Sequence, residues 1–244
     1  MKPFIFPSSI ETARALILHI VKTMLDQPNK VFNIAFSGGS TPALMYDLWA
    51  NEYKDITPWE RMRVFFVDER CVPAENSESN YGMIRSLLLS VVPISYSNVF
   101  AIKGDDKPEK EACRYSELVE NELLVDAGFP VFDIVLLGAG ADGHTSSIFP
   151  GQEALLSSNV PYEATYNPAN GQRRIAMTGS TILAARKVIF LITGRSKADV
   201  VSDIFNSGDT GPAAYIAHHA KDVALFVDGQ AAEKIDTEPI AVRH

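Results

Sequence analysis

Cysteine is scarce in this chain, and long apolar runs are missing. Its 244 residues include two cysteines, Cys71 and Cys113, in unrelated contexts. They form no Cys-x-x-Cys pair and no zinc-type spacing, which excludes a disulfide framework and a thiolate metal centre. Two reduced thiols in a cytoplasmic protein is the plain reading. No apolar stretch approaches the ~20 residues that cross a bilayer. The opening MKPFIFPSS is broken by Pro3 and Pro7 and reads as neither signal peptide nor anchor. Nothing repeats at a solenoid period. Cationic excess is absent as well. The formal net charge is −8, so the chain lacks the footprint of a nucleic-acid binder. A small anionic substrate stays compatible, because the local field governs a pocket. The Gly38-Gly39 turn is neither a Walker A loop nor the dinucleotide fingerprint GxGxxG, and no GxSxG elbow is present. His218-His219 alone do not make a metal site.

What remains is ordinary globular composition, 46% hydrophobic and 21% charged. No composition break demands a boundary, and a single domain over 1–244 is expected. Strand-like and helix-like stretches alternate. Ser8 or Ser9 caps a helix carrying Ile10, Ala13, Ile17 and Ile20-Val21 at helical spacing. Apolar runs at 31–36, 64–67, 131–137, 188–192 and 223–227 read as buried strands. Helices are expected at 43–49, 81–89, 108–124, 181–185 and after 212, with a further short helix at 145–149. Residues 161–174 read as polar and aperiodic, and 174–177 as a short strand. Apolar strands separated by helices indicate a mainly parallel sheet covered on both faces, a three-layer Rossmann-like α/β sandwich.

Chemistry-bearing residues gather where these strands end. Ser37-Gly38-Gly39-Ser40-Thr41-Pro42 joins a strand to a helix start, with free N–H groups and two hydroxyls suited to a phosphate. The same stretch also reads as a plain capped turn. Asp68-Glu69-Arg70 follows an apolar strand and is expected to leave the sheet at its carboxyl edge. Arg70 could grip a phosphate or carboxylate, and Asp68 or Glu69 could orient it or act as a base; a solvated ion pair is the blander alternative. Gly138-Ala139-Gly140-Ala141-Asp142-Gly143-His144 places a group that titrates near neutral pH inside a glycine-rich turn, with Asp142 poised to position it. Arg173-Arg174 and Lys197 complete a possible cradle. Several polar strand ends of this kind in one chain favour a ligand site over isolated capped turns.

SGGSTP (37–42), DER (68–70) followed by VP and SESNYG, and above all GAGADGHTSSIFPG (138–151) resemble the 6-phosphogluconolactonases. RRIAMTGSTILAARKVIFLITGRSKADV and the closing ALFVDGQAA are similar to the same family, so the resemblance spans almost the whole chain. It implies a modified Rossmann fold shared with glucosamine-6-phosphate deaminases. It also implies hydrolysis of 6-phospho-D-glucono-1,5-lactone, with neither nucleotide cofactor nor obligatory metal. His144 matches the family's general base, with Arg70 and Asp68 as its catalytic company. Gly38, Gly39, Ser40 and Thr41 match the phosphate-side loop, with Gly143 as a further binding glycine. Arg174 and Lys197 match phosphate-binding positions, although Arg173 fits the pattern equally. The implied partner is a small sugar-phosphate lactone, not nucleic acid or membrane, and the implied assembly a monomer or small homo-oligomer. An isomerase or deaminase using Asp68, or a silent sugar-phosphate sensor, are the competing readings. The segment TSSIFPG after His144 lacks the carboxylate that the deaminases carry there.

Overall fold

The computed structural model describes residues 1–206 and 208–235. In chain order the elements are β1 (Lys2–Phe6), α1 (Ser9–Leu25), β2 (Phe32–Phe36), α2 (Ser40–Glu52), β3 (Met62–Phe66), β4 (Asp68–Arg70) and α3 (Asn80–Ile84). There follow α4 (Pro108–Glu122), β5 (Val125–Asp126), β6 (Phe129–Pro130), β7 (Ile134–Leu137), β8 (Tyr162–Tyr166) and β9 (Arg173–Met177). The described chain continues with α5 (Gly179–Ala184), β10 (Val188–Ile192), α6 (Ala198–Asn206), α7 (Pro212–His219) and β11 (Val223–Asp228).

The apolar runs do form the central sheet. Six strands lie in the order β1-β11-β10-β7-β2-β3, and every neighbouring pair is parallel. Every residue of β7 and β10 is buried, as a sheet covered on both faces requires. Right-handed crossovers assign the helices to faces. Steps towards β3 use α1 and α2, which pack on each other; steps towards β1 use α5, α6 and α7, which form a second group. The sheet order reverses between β2 and β7, where successive connections run away from each other. That divergence opens a crevice at the carboxyl ends of these strands.

Two expectations change and one is refined. Asp68-Glu69-Arg70 leaves the central sheet as expected, and forms β4 in a small antiparallel sheet ordered β4-β9-β8. Val67 makes the switch, since its N–H donates to Phe36 O at 2.9 Å while its carbonyl accepts from Met177 N at 2.8 Å. The polar stretch near 161–174 contains β8, held by pairing with β9 and by packing on α4 rather than by apolar alternation. Residues 145–149 are not a helix. Ser146 has φ +54, Thr145 and Ile148 bridge to each other, and Thr145 Oγ1 donates to Gly138 O at 2.8 Å. The N-terminal patch is also a strand, β1. Pro3 is tolerated because β1 is an edge strand of the sheet.

Candidate active site

The cleft at the reversal point collects residues from both sheets. Ser37, the glycine loop, Asp68, Arg70, Asn80, the 138–140 turn, His144, Ser146, Arg174, Thr193 and Lys197 all line it. Strand ends bring them there. β2 runs into the 37–41 loop, β7 into the glycine-histidine turn, and β10 into Thr193 and then Lys197. Arg70 and Arg174 stand opposite each other in the β4–β9 register.

The loop after β2 is tied down at its start. Ser37 Oγ donates to Leu136 O at 2.6 Å, and Tyr46 OH donates to Ser37 O at 2.8 Å. Gly39 then takes φ +108, a value that side-chain-bearing residues reach only under strain. It caps α2 with no side-chain acceptor, so first-turn N–H groups beside the cleft are left without a capping side chain. Thr41 Oγ1 lies 3.1 Å from Thr193 Oγ1 across the opening.

His144 is held from one side only. Its Nδ1 lies 2.6 Å from Asp142 Oδ1, and its ring packs against Phe149 with centroids 4.5 Å apart. Nε2 has no hydrogen-bond partner among the described residues, and 32% of the side chain is exposed. Partial burial works to raise the Asp142 carboxyl, but the His144 charge and hydrogen bonds from His144 outweigh it and leave the pKa lowered. Gly140 makes this pairing possible. A Cβ there would fall 2.1 Å from His144 Nδ1 and 2.2 Å from Asp142 Oδ1. Gly143 differs from the expected binding glycine. It supplies the turn at φ +86 and accepts from Ala213 N at 2.9 Å, but it lines a neighbouring crevice with Asp142, Thr210 and Gly211 instead of the cleft.

The cations stand around the same space. Arg70 Nη1 donates to Glu78 O at 2.6 Å, and Lys197 Nζ to Ala139 O at 2.8 Å. Arg174 is buried, with Nη1 3.9 Å from Asp68 Oδ2. The Nε–H groups of Arg70 and Arg174 are buried without a partner among the described residues. Burial pulls the pKa of Arg174 down, with Asp68 working against it, and burial does the same to Lys197 against Asp142. Arg174, not Arg173, faces the cleft; Arg173 lies outside and pairs with Glu109.

The two acidic neighbours part company. Glu69 turns away and accepts from Asn80 N and Tyr81 N at 2.7 Å, capping α3; burial pushes its carboxyl up against these bonds. Asp68 lines the cleft, and both its oxygens are engaged: Ser147 Oγ donates to Oδ2, and Asn80 Nδ2 to Oδ1 at 3.1 Å. Asn80, Ser147 and Thr193 are additions that motif reasoning passed over. Asn80 opens a helix inside SESNYG and Thr193 ends an apolar strand, so position alone was a usable signal for both. Ser147 had none, because its contact with Asp68 spans 79 residues of sequence.

Known proteins resemble this chain in sequence and in fold. The family model described as glucosamine-6-phosphate isomerases/6-phosphogluconolactonase matches residues 7–225. The 6-phosphogluconolactonase of Treponema pallidum is 37% identical over 222 residues, covering 90% of this chain and 89% of that protein. That of Haemophilus influenzae is 35% identical over 198 residues, covering 81% and 82%. The solved structure of the 6-phosphogluconolactonase from Trypanosoma cruzi superposes with a TM-score of 0.85 at 31% identity, covering 97% of each chain. This chain therefore belongs to the glucosamine-6-phosphate isomerase/6-phosphogluconolactonase family.

Proposed function

We propose that this protein hydrolyses 6-phospho-D-glucono-1,5-lactone to 6-phospho-D-gluconate, in the oxidative branch of the pentose phosphate pathway, in the cytoplasm and with no cofactor. The observation that carries this reading is one cleft holding an Asp142-oriented histidine together with two arginines whose buried Nε–H groups lack partners among the described residues. Buried unpaired donors are costly, and a bound oxyanion satisfies them. The names borne by the relatives point the same way.

In this reading the phosphate sits on the α2 N-terminus, Arg174 and Lys197, through charge-assisted hydrogen bonds. That anchorage sets the lactone carbonyl beside His144. The Asp142 carboxylate only accepts, so it fixes the proton on Nδ1 and leaves the lone pair on Nε2. Nε2 takes a proton from water as the water attacks C1. Arg70 or turn N–H groups stabilise the oxyanion. Collapse breaks the bond from C1 to the ring oxygen, and the imidazolium returns its proton to that oxygen. Asp68, with both oxygens engaged, holds Arg174, Ser147 and Asn80 rather than moving a proton. An isomerase or deaminase would need a base free for carbon chemistry, and the segment after His144 carries no carboxylate to serve it.

A pH-stat assay on freshly prepared lactone is expected to show enzyme-dependent acid release, with glucosamine 6-phosphate yielding no ammonia. Ammonia release without lactone opening would replace this reading by a deaminase; binding of both without turnover would replace it by a sensor. Gly140→Ala is expected to lower kcat by about 100-fold, the cost of misplacing a catalytic group by roughly 1 Å. Circular dichroism should be unchanged. A variant with wild-type kcat would show that the dyad does not depend on this close approach.

A further inference from the structure

Asn80 is 2% exposed, yet it lines the cleft. Its amide orientation follows from its neighbours. One end faces Asp68 O at 2.9 Å and Asp68 Oδ1 at 3.1 Å, and both of those atoms are acceptors. That end is therefore the Nδ2 donor, since a flipped amide would set oxygen against oxygen. Oδ1 consequently points the other way, towards Gly38, where an added Cβ would come within 1.7 Å of it. Oδ1 accepts no hydrogen bond from any described residue.

The cleft is rich in donors: Arg70, Arg174, Lys197 and the N–H groups at the start of α2. Its acidic member, Asp68, is already engaged. Asn80 Oδ1 is thus a neutral acceptor, locked in direction by a buried carboxylate, beside the loop assigned above to the phosphate. Anions have no use for such an atom. A sugar hydroxyl does, because it must donate its proton to something once it leaves water.

We infer that Asn80 is a specificity-determining residue whose Oδ1 accepts a hydrogen bond from one ring hydroxyl of the substrate. The inference rests on the lactonase reading and deepens it. The glycine at position 38 leaves the room for this oxygen, which a side chain there would take. Sites built to pair with a substrate hydroxyl discriminate strongly against analogues that lack it.

The test is a cycle between enzyme and substrate variants. Wild type, Asn80→Ala and Asn80→Ser are assayed on the parent lactone and on a set of 6-phospho-lactones each missing one ring hydroxyl. Both variants should lose about tenfold in kcat/KM on the parent, the worth of one hydrogen bond of roughly 1.4 kcal/mol. On one deoxy analogue, wild type and variants should coincide. Competitive inhibition by inorganic phosphate should be the same for all three proteins. Equal losses on every analogue, or weakened phosphate inhibition, would reduce Asn80 to a prop for the glycine loop and overturn the assignment. Circular dichroism reports folding, and a folded Asn80→Ser carries the test if Asn80→Ala does not fold. Wild type that opens no lactone at all would instead bring down the lactonase reading, and this assignment with it.

Discussion

His144→Ala is expected to lower kcat for lactone opening by about 100- to 10,000-fold, the range that one general base contributes. Phosphate affinity should hardly change, because the histidine bonds to Asp142 and packs on Phe149, and no hydrogen bond joins its ring to a cation among the described residues. Folding should survive too, since the ring is partly exposed and fills no closed core site. A δ-lactone also opens unaided in water, so the residual rate must be read above that background. Single-substrate kinetics with inorganic phosphate as competitor checks both halves of the expectation. A variant with near-normal kcat would remove His144 from the role of base, whatever its KM.

Removing the cations should act on the other kinetic constant. Arg174→Ala and Lys197→Ala are each expected to raise KM by roughly 10- to 100-fold, from the ~1.5–3 kcal/mol of a hydrogen bond to a charged group. kcat should stay near wild type, because neither residue meets the reacting carbon in this reading. The double variant should lose more than either single one, though less than their product if the phosphate re-seats itself between the remaining donors. Arg174→Ala leaves Asp68 with Ser147 and Asn80, so the carboxylate is not stranded. KM unchanged in both single variants and in the double would sink the phosphate assignment.

The parallel sheet was legible in the sequence because its strands are continuous apolar runs, and the helices because Ser8, Pro42 and the 108–122 periodicity mark them. The small sheet was hidden for the opposite reason. β4 is wholly charged and β8 largely polar, and their strand character comes from pairing with β9 and from Val67 bridging the sheets. The 145–149 turn misled because its hydroxyls resemble a capped helix start, whereas they bind Gly138 O, Val67 O, Met177 O and Asp68. His144, Arg70 and the glycine loop were accessible as strand-end residues. The choice between Arg173 and Arg174 was not, since adjacent residues on a strand face opposite ways and only the register with β4 decides. The same register separates Asp68 from Glu69.

The change of sheet at Val67 has a consequence for how such a protein diversifies. Arg70, Asp68 and Arg174 ride on the small sheet, whereas His144 and the glycine loop ride on the large one. The histidine turn, the glycine loop and Lys197 therefore share one piece of scaffold, and Arg70 and Arg174 belong to another, joined to it at a seam. Substitutions in the small sheet can re-aim what the cleft recognises and leave the histidine turn in place.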